Sequence, residues 1–236
     1  MTLDTYLSDV PVYTDKDHLI WTTLFKRNQS LKNLSSIYIE GRKQIDFSSD
    51  KIEDLESISE RLQCLSGWSL VPVSGLLPTK DVFSLLAKQR FPITTRIRKW
   101  SELDFAELPD VFHDLVGHVP TLATGKLTDF LVSYGETGLK LQGEPDKIKM
   151  LSRLIWYTFE TGLIREDNGV YIFGGAVATS KSEAELAMGR RDIHRPFNLN
   201  DIINNKYNHL EIQNCYYVIN HLDELKSALD GITKLR

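Results

Sequence analysis

Apolar residues recur at intervals of three and four along most of this chain, and only short strand-like runs separate the helical stretches. In SSDKIEDLESISERLQCLSGW, this spacing places four apolar side chains on one face, and Gly67 stands where a glycine commonly ends a helix. Helices and strands do not alternate regularly, which argues against a doubly wound parallel sheet. The pattern predicts a mainly α (α+β) fold, a single helical domain with a small β element.

Other segments carry their own start and stop signals. Thr79 offers an N-cap to a helix that runs to Leu86, and Pro109 suits the first position of another helix. Short strands are predicted at WSLVPV and at the run that follows the Asn-Gly turn in DNGVYIF. Further helices are predicted at residues 15–35, at 146–163, where Gly162 ends the helix, and near 222–229.

Composition excludes several classes of protein. The 236 residues are 42% apolar, and 28 Lys and Arg stand against 32 Asp and Glu, so the net charge is −4. This balance provides no basic surface for nucleic acid and no cationic face for an anionic membrane. No apolar run reaches the roughly 18–20 residues of a membrane span, and the first residues lack the features of a secretory signal. We therefore expect a cytoplasmic protein.

The cysteines exclude a further group of folds. Cys64 and Cys215 lie far apart and show no metal-ligand spacing. Zinc ribbons, iron–sulfur proteins and disulfide-dense secreted scaffolds are therefore ruled out.

Two histidines lie five residues apart in PDVFHDLVGHVP, in a chain that has six histidines. The spacing does not match the H-E-x-x-H zinc motif, and residues i and i+5 of an unbroken α-helix lie about 140° apart. Gly117 would permit a helix end, so that His118 turns back toward His113. The alternative is a pair of partly buried histidines that only satisfy hydrogen bonds.

Glu160 is the only charged residue of the apolar segment 154–164. Burial of a carboxylate there costs several kcal/mol unless a positive group meets it. That group is either an arginine, such as Arg153 or Arg165, or a metal ion shared with the histidines. Two imidazoles and one carboxylate form the facial triad of non-haem Fe(II) oxygenases, and the same set suits a catalytic zinc.

Several segments occur in the order and spacing of one known family. The chain resembles the pterin-dependent aromatic amino acid hydroxylases, above all their short bacterial members that act on phenylalanine. The resemblance runs from about residue 13 to 218 and is carried by DKDHLIWTTLFKR, LSGWSLVPVSGLLP, RFPITTRIRK, PDVFHDLVGHVP, WYTFETGLI and FGGAVATS.

The resemblance implies a reaction and a metal site. It implies a monooxygenase that uses O₂ and tetrahydrobiopterin or another tetrahydropterin to convert L-phenylalanine to L-tyrosine, with Fe(II) held by His113, His118 and Glu160. It further implies that Arg98 binds the substrate carboxylate, a bidentate task that suits a planar guanidinium. Without the family resemblance, Arg98 would be interpreted as a solvated charge among basic neighbours.

The resemblance also assigns residues around the organic ligands. It makes Asp110 a structural partner and Asp114 an indirect contact to the pterin; otherwise both would be helix-start carboxylates favoured by the helix dipole. The pterin loop, alternatively a simple tight turn, comprises Gly75, Leu76, Leu77 and Thr79. The substrate pocket comprises Arg98, Trp156, Thr161, Ala176, Thr179 and Val218.

Some positions depart from the family. Val82 replaces the phenylalanine that stacks on the pterin, although Phe83 is adjacent and would be able to take its place. Thr161 replaces an aromatic wall of the substrate pocket, and Ala176 replaces a loop glycine. Thr179 keeps the hydroxyl of a serine that supports the first histidine.

Two positions predict the substrate. Trp156 matches a tryptophan of phenylalanine and tyrosine hydroxylases that is a smaller phenylalanine in tryptophan hydroxylases. Val218 matches a valine of phenylalanine hydroxylases that is an aspartate in tyrosine hydroxylases. We therefore expect phenylalanine to be preferred. The alternatives are a tryptophan or phenylalanine 3-hydroxylase, a metal- or pterin-binding protein without activity, and a zinc hydrolase.

The family comparison also predicts the domain organisation. Residues 1–236 are expected to form a single catalytic domain without the regulatory domain of the animal enzymes. No heptad tail is recognisable at the carboxyl end, so we expect a monomer whose ligands are small molecules.

Overall fold

The computed structural model describes residues 5–104, 106–167 and 169–235. The fold is mainly helical, with short strands at intervals along the chain, as predicted. The helices are α1 (Asp15–Gln29), α2 (Ser36–Ile45), α3 (Leu55–Ser66), α4 (Thr79–Leu86), α5 (Val119–Ala123), α6 (Thr128–Lys140), α7 (Pro145–Ile155), α8 (Gly175–Thr179), α9 (Lys181–Gly189), α10 (Leu199–Asn204) and α11 (Asp223–Lys234). The strands are β1 (Ser69–Val73), β2 (Arg90–Thr94), β3 (Leu163–Glu166), β4 (Gly169–Ile172), β5 (His194–Pro196) and β6 (Tyr216–Ile219).

Local capping chemistry explains several helix ends. Thr14 and Asp17 form a capping box at the start of α1, and Gly67 ends α3 with a φ of 81°. Helix α1 ends at Gln29, so the predicted span to residue 35 was too long. The prediction of Thr79 as an N-cap was also wrong, because Thr79 is already the first residue of α4.

The strands form two small sheets. Strands β1 and β2 pair in parallel, and the second sheet has the order β4-β3-β6-β5. Strand β3 runs antiparallel to β4 and parallel to β6, which in turn runs parallel to β5. The predicted Asn-Gly turn includes Asn168, which lies outside the described residues. Within the described part of the chain, no helix has the length and apolarity needed to cross a bilayer.

The largest hydrophobic cluster surrounds a helical segment in the middle of the chain. Phe112, Leu115 and Val116 are fully buried there, and the Trp21 ring meets Phe112 edge-on at 5.4 Å between ring centroids. Burial of this apolar surface supplies most of the stabilisation of the fold. The two candidate histidine ligands, His113 and His118, lie on this same segment.

Candidate metal centre and its two cavities

His113 and His118 lie on a π-helical turn formed by residues His113–His118. In a π-turn the hydrogen bond spans five residues, so residues i and i+5 come together. The two Nε2 atoms are 3.2 Å apart and the ring centroids 4.9 Å apart. The chain therefore continues as helix through this segment, and the predicted helix end at Gly117 was wrong. π-Turns of this kind frequently occur at functional sites.

Gly117 has a different role from the predicted one. A Cβ atom at Gly117 would lie 2.9 Å from the carbonyl oxygen of Gly175, and a Cβ at Gly175 would lie 2.5 Å from the His118 ring. Helix α8 therefore packs directly on the π-turn because both positions lack a side chain.

The start of the same helical segment also differs from the prediction. The Asp110 side chain accepts a hydrogen bond from the His113 backbone N–H at 3.0 Å, as a helix N-cap does. Pro109 precedes this cap and is not the first helical residue. Asp110 thus ties the first histidine to the helix start.

Glu160 ends a second π-turn, Trp156–Glu160, that extends α7. Thr161 donates its N–H to the carbonyl of Trp156, five residues earlier. The helical segment ends at Glu160, before Gly162, and Leu163 begins β3, so the predicted span to residue 163 was too long. Glu160 Oε2 lies 3.3 Å from His118 Nε2 and 3.5 Å from His113 Nε2.

The arginine alternative for Glu160 fails in the structure. Arg153 donates to the carbonyl oxygen of Ile203, and Arg165 donates to Asn220. Within the described chain, no arginine lies at ion-pair distance from the Glu160 carboxylate.

The three ligand atoms face one point, and their chemistry fits a metal ion. Ligands on neighbouring corners of a metal with bonds near 2.1 Å are about 3 Å apart. His113 Nδ1 lies 3.2 Å from the Thr179 hydroxyl, which donates to the Gly175 carbonyl at 2.8 Å. Because that hydroxyl donates elsewhere, it is available to accept a hydrogen bond from Nδ1–H, which leaves the lone pair of Nε2 for a metal ion.

Aromatic rings pack around the imidazole of His118, and the two histidines lower the pKa of Glu160. Phe159 stacks on His118 with a centroid distance of 4.4 Å, and Phe91 lies 5.5 Å away. His118 Nδ1 is the single fully buried side-chain polar atom of the described residues that has no hydrogen-bond partner. Burial raises the pKa of the Glu160 carboxyl, but the charges and hydrogen bonds of His118 and His113 outweigh it and lower the pKa well below its usual range.

Arg98 and Asp110 form a buried, bidentate ion pair. The Arg98 Nε and one Nη donate to the two Asp110 oxygens at 2.9 and 2.8 Å, and the backbone N–H of Arg98 adds a bond of 2.8 Å. Arg98 is 5% exposed and Asp110 is fully buried, so the interpretation of Arg98 as a solvated charge was wrong. The remaining Nη has no hydrogen bond to a described residue and belongs to a side chain that lines a cavity.

A cavity of about 470 Å³ lies on one side of the ligand set. Trp156 forms part of its wall, and its ring stacks on Tyr207 with centroids 4.6 Å apart. Five of the six predicted substrate-pocket residues line it: Arg98, Trp156, Thr161, Ala176 and Thr179. Val218 does not, because it is buried in a separate apolar cluster beneath the second sheet.

A second cavity of about 240 Å³ is lined by all three candidate ligands. Its lining includes five of the seven residues predicted to bind the pterin: Gly75, Leu76, Leu77, Val82 and Asp114. Thr79 is exposed at the start of α4, outside this lining. Phe83 is fully buried and packs edge-on against Tyr134, so it is not placed to substitute for the missing stacking ring, as its position in the sequence had suggested it could.

Asp114 connects the second cavity to β2. It accepts a hydrogen bond from the Thr94 backbone N–H at 2.7 Å. Burial raises the pKa of its carboxyl despite the nearby histidines and Thr94. Asp114 thus lies in the first turn of the π-helical segment, as the helix-start interpretation expects, and in addition ties that turn to β2.

The two cavities adjoin at the metal ligands. His113 and Glu160 line both of them, together with Leu76, Val82, Pro109 and Ile155. The two cavities thus share the wall that carries two of the three candidate metal ligands.

Sequence reasoning missed several residues of the larger cavity. Gln213 accepts the indole N–H of Trp156 at 3.1 Å, and Tyr207 covers the indole face. Glu183 is a nearly buried acid that accepts a bond from the Tyr216 hydroxyl at 3.0 Å. Glu183 follows FGGAVATS closely, but its neighbours Ser182 and Ala184 gave no signal of burial.

The fold and the site define a protein in which two histidines and one carboxylate, a set able to hold one metal ion, lie where two cavities adjoin. A family model described as "Biopterin-dependent aromatic amino acid hydroxylase" matches residues 6–235. The chain belongs to this family.

Relatives and solved structures agree with this assignment. The phenylalanine-4-hydroxylase of Chromobacterium violaceum is 36% identical over 92% of this chain and 73% of its own length. Its structure with iron(III) and 7,8-dihydrobiopterin superposes with a TM-score of 0.92 at 33% identity, covering 98% of this chain and 86% of that one. Its iron- and phenylalanine-bound structure gives a TM-score of 0.88 at 31% identity, covering 100% and 90%.

Proposed function

We propose that this chain is an Fe(II)- and tetrahydropterin-dependent monooxygenase that hydroxylates L-phenylalanine to L-tyrosine with O₂. The observation that carries the proposal is the convergence of His113, His118 and Glu160 at the junction of two cavities. When bound there, iron and the reduced pterin supply the electrons and activate O₂. Three protein ligands leave further positions on the metal open.

The larger cavity is the proposed substrate site. Asp110 holds two nitrogens of Arg98, so the guanidinium has a fixed orientation and its remaining Nη is free to bind the amino acid carboxylate. Trp156 is fixed by Tyr207 and Gln213 and forms a rigid wall for the aromatic ring. These contacts align the ring with the metal before reaction, which lowers the entropic cost of the reaction.

The smaller cavity is the proposed pterin site. Backbone groups at Gly75, Leu76 and Leu77 are available to the polar edge of the ring, and Asp114 lies on the same lining. Val82 offers apolar contact without aromatic stacking, so we expect weaker pterin binding than a phenylalanine would give.

A coupled turnover assay tests the proposed function. Protein loaded with Fe(II) is supplied with tetrahydropterin, O₂ and phenylalanine, and tyrosine formation and pterin oxidation are measured together. We expect phenylalanine to stimulate pterin oxidation and tyrosine to appear. Parallel reactions with redox-inactive zinc in place of iron are the control, in which no tyrosine should form. Absence of product from any aromatic amino acid would favour a binding protein.

Substrate selectivity provides a separate prediction. Trp156 restricts the space for an indole substrate, whereas Thr161 enlarges the cavity and Ala176 reduces it by a methyl. One methylene-sized change in an apolar pocket is worth roughly 1–3 kcal/mol, so we expect Trp156→Phe to raise kcat/KM for tryptophan relative to phenylalanine about tenfold. Competition assays that measure tyrosine against 5-hydroxytryptophan check this. A wild-type preference for tryptophan would contradict the assignment.

We further propose that the chain acts as a cytoplasmic monomer. Helix α11 buries Leu225, Leu229 and Ile232 against its own domain, so its apolar face does not form a coiled-coil stripe. Cys64 is exposed and free, which suits a reducing compartment. Light scattering is expected to give the mass of one chain, and phenylalanine saturation is expected to be hyperbolic. A tetramer or sigmoidal kinetics would count against the proposal.

A further inference from the structure

The first π-turn has a backbone carbonyl that its own helix cannot satisfy in the usual way. Pro120 has no N–H and therefore cannot donate the i→i−4 bond to the carbonyl of Val116. Val116 is fully buried and Pro120 is buried as well, so an unpaired carbonyl there would be costly. The hydroxyl of Tyr38, a fully buried residue of α2, donates to this oxygen at 2.5 Å.

Asn28, a buried residue of α1, extends this contact to helix α8. Its Nδ2 donates to the Tyr38 hydroxyl at 3.1 Å and to the carbonyl of Ala178 at 2.8 Å. Arg42 Nη1 donates to Asn28 Oδ1 at 3.1 Å and fixes the orientation of the amide. Ala178 directly precedes Thr179, whose hydroxyl contacts His113 Nδ1.

Close packing holds the same elements together. A Cβ atom at Gly41 of α2 would lie 1.6 Å from the Pro120 carbonyl oxygen, so α2 rests directly on α5 at the end of the π-turn. Tyr38 is therefore delivered to Val116 from a helix with little freedom to shift.

We propose that Asn28 and Tyr38 form a backbone clamp, a pair of positioning residues that holds the three-ligand site in metal-binding geometry before the metal arrives. One end of the clamp holds the π-turn that carries His113 and His118, and the other holds the segment that carries Thr179. Neither side chain belongs to the ligand set, so the clamp acts through the main chain. The inference rests on the metal centre of the proposed function but does not require hydroxylase activity. Loss of partners that orient metal ligands typically lowers metal affinity by about 10–100-fold.

Tyr38→Phe tests the clamp by removing only the hydroxyl. The probe is Co²⁺ alone, titrated into metal-free protein and followed by its visible absorption. We expect the dissociation constant to rise about 10–100-fold and the absorption bands to change, while circular dichroism confirms the fold. Tyr217→Phe is the matched control, because Tyr217 is also fully buried and its hydroxyl accepts a hydrogen bond from Asn205, which lies outside the ligand-bearing turns, while the ring that packs on Tyr157 is kept.

The control separates positioning from general stability. Both substitutions lower Tm by removing a buried hydrogen bond, but only Tyr38→Phe should weaken Co²⁺ binding in the folded protein. Equal Co²⁺ affinity and an unchanged spectrum in folded Tyr38→Phe would overturn the clamp. Failure of the wild-type chain to bind Co²⁺ would instead overturn the metal centre and, with it, the proposed function.

Asn28→Asp and hydrogen exchange test the clamp independently. The substitution keeps an oxygen for Arg42 but removes both amide donors, and the new carboxylate competes with Val116 for the Tyr38 hydroxyl. We expect weakened Co²⁺ binding here as well. In the wild-type chain, amides of residues 113–118 should be protected equally with and without Co²⁺. Protection that arises only after metal addition would show that the metal, and not the clamp, orders the π-turn.

Discussion

Glu160→Gln is expected to leave the protein with less than about a tenth of its iron and to lower tyrosine formation by at least about a hundredfold. Glutamine keeps the size of the side chain but removes the negative charge that faces His113 and His118. The fold should persist, because apolar burial and not the metal supplies most of its stability. Elemental analysis of the purified variant and circular dichroism measure the two effects.

One control variant and two further variants test whether the loss is specific to the three candidate ligands. Glu53→Gln removes a carboxylate that pairs with Arg61 away from the ligands, so iron content and turnover should stay unchanged. His113→Ala and His118→Ala should each reproduce the loss seen with Glu160→Gln. Stoichiometric iron and normal turnover in Glu160→Gln would show that Glu160 is merely a core acid.

Asp110→Ala is expected to lower the free energy of unfolding by about 3–5 kcal/mol, because it leaves the buried Arg98 guanidinium without its partner. It also removes the N-cap of the segment that carries His113. Denaturant titration measures the loss. Asp104→Ala is the matched control, since Asp104 is 86% exposed in its ion pair with Arg27 and should cost no more than about 1 kcal/mol.

The same pair predicts a pH dependence. Burial raises the pKa of the Asp110 carboxyl, but the charge and hydrogen bonds of Arg98, with two backbone N–H groups, lower it below its usual range. A pKa that is lower in the folded state stabilises the protein above the unfolded value of about 3.9, and this contribution is lost as the pH falls through the folded pKa. The difference between wild type and Asp110→Ala should therefore shrink below about pH 4. A difference that stays constant from neutral to strongly acidic pH would contradict the argument.

Local chemistry made much of the fold predictable from the amino-acid order. Capping groups and apolar spacing operate within a few residues, so they identified the helical class and the end of α3 at Gly67. An isolated carboxylate in an apolar helix marked Glu160 as a residue that needs a positive partner. The family resemblance added the prediction that Arg98 binds the amino acid substrate and that Gly75 belongs to the pterin loop.

Contacts between segments that are distant in sequence determined the features that the sequence did not predict. The sequence around Gly117 suggested a helix end. The structure instead has a π-turn there, which packs closely against α8 and whose Val116 carbonyl accepts a hydrogen bond from Tyr38. Phe83 is adjacent to the cavity residue Val82 in sequence, yet the direction of its side chain on α4 places it in the core. Asp110 looked like a helix-start acid, and only folding brings it against Arg98. Helix caps depend on neighbours along the chain, whereas π-turns, buried ion pairs and cavity walls depend on partners that meet only in the tertiary structure.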